Sequence, residues 1–385
     1  MAIKINVDGA DCTSAIIGTG SYLPRQIVTN LDLYARISNF DLEKARASVS
    51  KCNDPAIVDK LSDAELYDLW AKQVTGNDKR HFYDHDFDDL EDFVGPAENM
   101  GAEAGRRALE MAELDPLELD EVIVATFTPG MDISHAACSV AGILGARNAT
   151  GFTLNTACHG FMTGLIKGHQ GIKCGDYKNV LVIASEELTK KVNFKDPSTV
   201  SLFSDGAGAV VLQASNNGIL DHYSRLEPSS HIQLENRQGE EDYISMPGGP
   251  RVLRKAIESM VGASKKVLED LGLSINDVNL AIPHQGNGRI VTGYEKGMEL
   301  PGDRVVNVMK YIGNPSGASV PISLDMVVRA SRGEQYSISN FEDTEDDRKL
   351  MEHLKQYKIE KGDNVLLAAV AGGYTYGAAL TKWAF

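Results

Sequence analysis

Three polar side chains, far apart in the chain, sit in settings where chemistry is done. Cys158 lies in "NTACHGF" (155–161), between an apolar strand-like stretch and a helix-like one. A thiol at a helix N-terminus faces unpaired backbone N–H groups and the positive end of the dipole, which favours its thiolate. That is the setting of a nucleophile, with Gly160 letting a substrate or another backbone come close. An inert buried thiol fits the heptapeptide as well, because free cysteine usually behaves as a small hydrophobe. His284, in "PHQGNGRI" (283–290), closes a strand and opens a polar, Gly-rich turn. Asn314, in "YIGNPSGASVPISLD" (311–325), stands between a strand-like stretch and a helix start. The C-terminal ends of strands in α/β sheets are where ligands bind. Taken singly, His284 can equally be a hydrogen-bonded histidine under a loop, and Asn314 a turn residue of unusual φ.

The elements that would position these residues alternate. Apolar runs bounded by Gly, Ser and Pro predict strands over 14–24, 121–129, 151–157, 179–187 and 206–215. Helical spacing predicts helices over 97–114, 136–146 and 160–175. The second half repeats the plan: helix 251–273, strand 279–284, helix 322–331, strand 364–372 and a final apolar stretch 377–385. "SDGAGAVVLQA" and "YTYGAALTKWA" echo one another near the ends of the halves. Two α/β halves, 1–216 and 217–385, packed through shared central helices, account for the length without a linker. Residues 36–64 read as an inserted surface element before the amphipathic helix 61–73, for which Ser62 and Glu65 supply a capping box. The GTG at 18–20 does not continue into a dinucleotide fingerprint, since Leu23 replaces the third glycine and Pro24 blocks a helix.

Composition narrows the function classes. The chain has 385 residues, 43% hydrophobic and 24% charged, ordinary values for a globular protein. A net charge of −16 argues against nucleic acid as a partner, because phosphate binding needs clustered Lys and Arg. The acidic stretches 84–92 and 341–349 read as solvated loops or helix ends; neither has the calcium-loop pattern. Five scattered cysteines without a CxxC pair argue against a disulfide framework and a metal site. No signal segment or membrane-length apolar run is present, so a cytoplasmic location with reduced thiols and no membrane partner is expected.

Taken together, the motifs make the chain resemble the ketoacyl-acyl carrier protein synthase III group of the thiolase superfamily. "IIGTGSYLP" is similar to that family's opening strand, "LWAKQVTG" to its first binding helix and "LFSDGAGAVVL" to its mid-chain strand. "HQGNGRI" resembles HQANxRI, "GNPSGAS" resembles GNTSAAS, and "AGGYTYGAAL" resembles GGGxTWGAAL. The resemblance implies a duplicated five-layer αβαβα fold, a homodimer, and no cofactor beyond acyl-coenzyme A or acyl carrier protein thioesters as substrates. It implies that Cys158 attacks an acyl thioester, with the backbone N–H groups of Cys158 and Gly372 as oxyanion donors. His284 and Asn314 would hold the carbonyl of a malonyl-type thioester as two neutral donors to an enolate. A nearby carboxylate would repel that developing charge. Asp205, in the mid-chain motif, is structural in the family and is given no chemistry.

The chain also departs from the family. His159 follows the cysteine where a small residue is usual, either filling space or narrowing the acyl pocket. Trp70 falls at the family's adenine-stacking tryptophan, but Val74 replaces the expected arginine, which favours a carrier-protein donor over free coenzyme A. Tyr376 replaces a tryptophan, and Asn287 is a further expected substrate contact. Arg251, Arg254 and Arg289 are expected to dock an acidic carrier protein, against the plainer reading of a solvated helix face. Asp132 is either a base on the acyl α-carbon, as in relatives that join two acyl chains, or the cap of a helix starting near Ser134. These departures point to a specialised lipid or polyketide pathway. Two rival functions remain: acyl transfer to a non-thioester acceptor, and a silent partner subunit of a condensing heterodimer.

Overall fold

Apolar runs and glycine-rich turns fold here into two sheets that share a helical layer. A computed structural model describes residues 13–86, 88, 94–131, 133–235, 242–246, 249–338 and 344–385. The strands that matter are Thr13–Tyr22 (β1), Glu121–Ala125 (β2), Thr150–Leu154 (β3), Asn179–Glu186 (β4), Gly206–Ser215 (β5), Ile219–Leu226 (β6), Leu280–Pro283 (β7), Asn364–Ala371 (β8) and Thr375–Lys382 (β9). The helices are Asp63–Thr75 (α1), Pro96–Ala112 (α2), Ala136–Leu144 (α3), Gly160–Lys173 (α4), Gly249–Asp270 (α5), Gly288–Met298 (α6) and Ser319–Ser331 (α7).

The first sheet has the order β1-β5-β4-β2-β3, with β4, β2 and β3 parallel and β1 and β5 antiparallel to their neighbours. The second has the order β7-β8-β9-β6, with only β7 and β8 parallel. Every residue of β4 is buried. That is why it reads as a continuous apolar run, not an alternating one. Helices α2 and α3 cover the outer face of the first sheet, and α5 and α6 that of the second. Between the sheets lie α4 and α7, where Leu165, Ile322 and Val327 join Val182 and Val210 of one sheet to Ile282 and Leu367 of the other. The expected αβαβα layering is therefore present.

Helix α4 sits unusually low on the first sheet. A Cβ at Gly164 would come 2.9 Å from Val182, and one at Gly168 3.0 Å from Val180. Gly160 belongs to the same face: its Cβ would meet that of Ala125 at 2.9 Å. Of the two neighbours expected at Gly160, a substrate or another backbone, the one that comes close is strand β2.

Several boundaries differ from expectation for local reasons. Strand β2 stops at Ala125 because residues 126–128 turn around the Glu186 carboxyl, which accepts from Thr126 Oγ1, Phe127 N–H and Thr128 Oγ1. The stretch before Asn314 is a single helical turn, Met309–Ile312, not a strand. Region 36–64 folds into helices Leu42–Val49 and Pro55–Val58, with Ala45, Val49 and Val58 buried against Leu66 of α1. The acidic stretches are not simply solvated: buried Asp88 accepts from the Tyr22 hydroxyl and Arg25 N–H, and buried Asp347 caps its own helix. Residues 87, 89–92 and 341–343 lie outside the described residues.

Asp325 pins β1 to α7. Fully buried, it accepts from Thr19 Oγ1 at 2.7 Å, Ser21 Oγ at 2.6 Å and Arg329 Nε at 3.2 Å. Removing it takes the carboxylate acceptor from both hydroxyls and the guanidinium, leaving Ser21 to Tyr336, Thr19 to Met111 and Arg329 to Glu334. Asp325→Ala is expected to cost about 3 kcal/mol or more, read as a lowered midpoint in urea unfolding; an unchanged midpoint would show that the cluster contributes nothing.

Candidate active site

The chain reaches Cys158 through a strained turn. Ala157 adopts φ +46°, and Cys158 occupies the single 3₁₀ turn Ala157–His159 that leads directly into α4. A left-handed non-glycine residue costs about 1–3 kcal/mol and persists where surrounding structure enforces it. Ser316, itself at φ +50°, points its Oγ to the Cys158 sulfur at 3.3 Å. The thiol is desolvated although its residue keeps partial exposure into a cavity. Burial pushes it up to about 11; the Ser316 hydroxyl and its own backbone N–H favour the thiolate, while Glu186 opposes it. Desolvation thus opposes the thiolate that the helix N-terminus and its N–H groups favour. Glu186 is itself pushed up to about 8 by burial, so it is largely neutral at pH 7. That neutrality answers the objection to a carboxylate near the site.

His284 follows β7, its N–H donating to Ala368 O. Its Nδ1 lies 2.7 Å from Ser319 Oγ, which also accepts the Gln285 N–H. The arrangement that satisfies all these groups has Ser319 donating to Nδ1, which leaves the proton on Nε2. Gly286 leaves that nitrogen room, since a Cβ there would stand 2.8 Å from Nε2. Burial first, and then His159, lowers His284 to about 4, so it is a neutral donor. Asn314 is buried, with Nδ2 on Gly286 O at 3.1 Å and Oδ1 accepting from Ser316 N–H at 2.9 Å. Among the described residues its second Nδ2 hydrogen has no acceptor. Backbone bonds to Leu202 and Ser204 anchor Asn314 to the first half of the chain.

Cys158, His284 and Asn314 open on one cavity of ≈ 350 Å³, together with Gly372 just after β8. Leu202, Val252, Leu253 and Ile290 give it apolar walls. Asn287 also lines it while capping α6 and donating to Val74 O. Arg289 stands exposed at its rim.

Other expected residues are placed differently. His159 does not line the cavity: it is fully buried, with Nδ1 2.9 Å from Thr163 Oγ1 and Nε2 under Gly377. Burial lowers it to about 4, so it is neutral. Trp70 also lies outside the cavity lining. It stacks on Tyr67 at 5.8 Å and receives the edge of Phe40, from the 36–64 region, at 5.1 Å. On α5, Lys255 is paired with Glu227, Arg254 leans toward Glu258, and Arg251 is exposed. Helix α3 has His135 at its N-cap position, and Thr153 Oγ1 accepts from Ala137 N–H. Asp132 itself lies outside the described residues. Asp205 accepts from Tyr83 N–H and Thr189, a structural role.

Sequence reasoning missed Ser316, Ser319 and Glu186. Both serines stand inside the "GNPSGAS" motif that pointed to Asn314. Ser316→Ala deletes a donor that favours the thiolate, so the Cys158 pKa should rise. The pH profile of iodoacetamide alkylation should move to higher pH; a shift downward, or none, would mean the hydroxyl does not act on the sulfur.

Comparison with known proteins agrees with this geometry. Residues 152–226 match the model for 3-oxoacyl-(acyl-carrier-protein) synthase III, and residues 268–341 that for its C-terminal region. The chain is 34% identical to a β-ketoacyl-(acyl-carrier-protein) synthase III from Caldanaerobacter subterraneus, covering 96% of this chain and 98% of the relative. Among solved structures, the Aquifex aeolicus 3-oxoacyl-(acyl-carrier-protein) synthase III superposes with TM-score 0.76 at 31% identity, over 96% of this chain and all of that one. The priming β-ketosynthase of a polyketide biosynthetic pathway gives TM-score 0.76 at 27% identity, over 96% of each chain. With near end-to-end similarity and a thiolase-type fold, the chain belongs to the 3-oxoacyl-(acyl-carrier-protein) synthase III family.

Proposed function

We propose that this enzyme loads an acyl group from a thioester onto Cys158 and condenses it with a malonyl-type thioester. The observation that carries this reading is the convergence of Cys158, His284 and Asn314 on one apolar-walled cavity. As the acyl thioester enters, the Cys158 sulfur loses its proton and attacks the carbonyl carbon. The N–H groups of Cys158 and Gly372 receive the oxyanion, and the donor thiol leaves. The extender thioester then binds with its carbonyl on His284 Nε2–H and Asn314 Nδ2–H. Loss of CO₂ leaves an enolate that these neutral donors stabilise, and its carbon attacks the acyl-cysteine. The products are a 3-oxoacyl thioester and the regenerated thiol. Thioesters are the only reactants, so no cofactor is required.

A carrier protein is the favoured donor. Trp70 is packed by Tyr67 and Phe40, and Val74 offers no charge for a nucleotide phosphate. The cations best free to receive an acidic partner are Arg251, Arg289 and Lys296, which carry no ion pair among the described residues. Docking therefore shifts from Arg254 toward α6. A homodimer is supported by the edge strand β3, where Phe152 is exposed, and by Ile133, 90% exposed nearby in sequence. We place the protein in the cytoplasm, consistent with free Cys52, Cys138, Cys158 and Cys174; no described helix is long and apolar enough to cross a membrane.

Two experiments test this. Cys158→Ala should abolish acylation seen by intact mass across a panel of acyl-coenzyme A and acyl-carrier donors. His284→Ala and Asn314→Ala should acylate but lose condensation and CO₂ release by about a hundredfold or more. Transfer to a non-thioester acceptor would instead leave acylation with no CO₂ release in the wild type. Arg289→Glu and Lys296→Glu should raise KM for the carrier-bound substrate at low ionic strength, and salt should erase the difference. An unchanged KM would rule out docking on α6.

A further inference from the structure

The turn that carries Gly372 is closed at its base by the Ala371–Thr375 pair of β8 and β9, and its tip leaves open space beyond Gly373. A Cβ at Gly373, where φ is +125°, would meet nothing nearer than Thr375 N at 3.8 Å. The stiffness comes from residues 227–232, the strap that continues β6 beyond its pairing with β9. Glu227 N–H donates to Tyr374 O at 2.8 Å, Tyr374 N–H returns to Glu227 O at 2.5 Å, and Ser229 N–H donates to Gly373 O. The Ile232 side chain lies directly over Gly372, 2.9 Å from where a Cβ would stand, and lines the cavity. Lys255 Nζ ties the strap to α5 through Glu227 at 2.6 Å.

His231 closes this assembly from the side. Its backbone N–H donates to Ser229 Oγ, and that hydroxyl lies 2.6 Å from His231 Nδ1. The Tyr374 hydroxyl reaches the same Nδ1 at 3.4 Å, with the rings 6.0 Å apart. Tyr374 is buried and lines the cavity, whereas His231 is not part of the lining. Burial pushes the Tyr374 phenol above its ordinary value, which keeps it protonated as a donor.

We propose that His231 is a positioning residue for condensation: its Nδ1, accepting from Ser229 at 2.6 Å and sharing that lone pair more weakly with the Tyr374 hydroxyl at 3.4 Å, clamps the strap onto the Gly372–Tyr374 turn and fixes the Gly372 N–H for the oxyanion. This rests on the assignment of Gly372 as an oxyanion donor. A preorganised donor contributes only while its orientation is fixed before reaction.

The test combines His231→Ala, His231→Gln, Tyr374→Phe and the Ala/Phe double variant of the full chain. Steady-state kinetics and amide hydrogen exchange over residues 370–377 are measured on each. His231→Ala and Tyr374→Phe should each lower kcat about fivefold to tenfold with KM within about twofold, and the double variant should be no worse than the singles. His231→Gln, whose amide oxygen can still accept, should recover most of kcat. Exchange over 370–377 should quicken in the Ala and Phe variants and not in Gln. Unchanged exchange, or additive losses, would overturn the clamp. Faster exchange with unchanged kcat would overturn the assignment of the oxyanion to Gly372 instead. Should His231→Ala fail to fold, Tyr374→Phe and His231→Gln decide the question alone.

Discussion

Close docking of α4 onto the first sheet is the constraint on which the site depends. The face at 160, 164 and 168 has no side chains, so the helix axis approaches β2 and β4 to within contact of their Cβ and methyl groups. Any side chain there would lift the helix and carry Cys158 with it. Because α4 lies in the layer shared by both sheets, its depth also sets where the nucleophile stands relative to β7 and β8. The other contributors come from those second-half strand ends: His284 after β7 and Gly372 after β8. Asn314 is placed by both halves, through its backbone bonds to Leu202 and Ser204.

Burial then sets the electrostatics of the cavity. The same desolvation that raises Cys158 and Glu186 lowers His284. All three are therefore mostly neutral at pH 7, while Arg289 keeps a positive charge at the cavity's rim. Such a site holds little self-repulsion when an enolate forms. The same burial opposes the Cys158 thiolate, an effect partly offset by the Ser316 hydroxyl and the backbone N–H.

The region 36–64 has a role beyond decoration of the surface. Its Phe40 packs against both Trp70 and Tyr67, and the three rings form one cluster. A tryptophan expected to stack a nucleotide thereby becomes part of an aromatic cluster, and the adjoining Val74 and Thr75 form cavity wall instead.

Much of this was legible in the residues alone. Strand 206–215, the Ser62–Glu65 capping box, the placement of His284 at a strand end and the ordered motifs carrying Cys158, His284 and Asn314 all follow from local periodicity, turn chemistry and motif order. Those signals are local, and a chain read one window at a time contains them. What tertiary structure alone decided was long-range. Ser316 meets Cys158 across 158 residues of sequence, and Phe40 covers Trp70. His159 turns under Gly377 and away from the cavity, and Cys158 ends up desolvated next to Glu186. None of these could be read from spacing, because desolvation and partner choice are properties of the assembled layers. The glycines of α4 show the difference well: the sequence announces that something must come close at Gly160, and only the packed sheet reveals that it is Ala125.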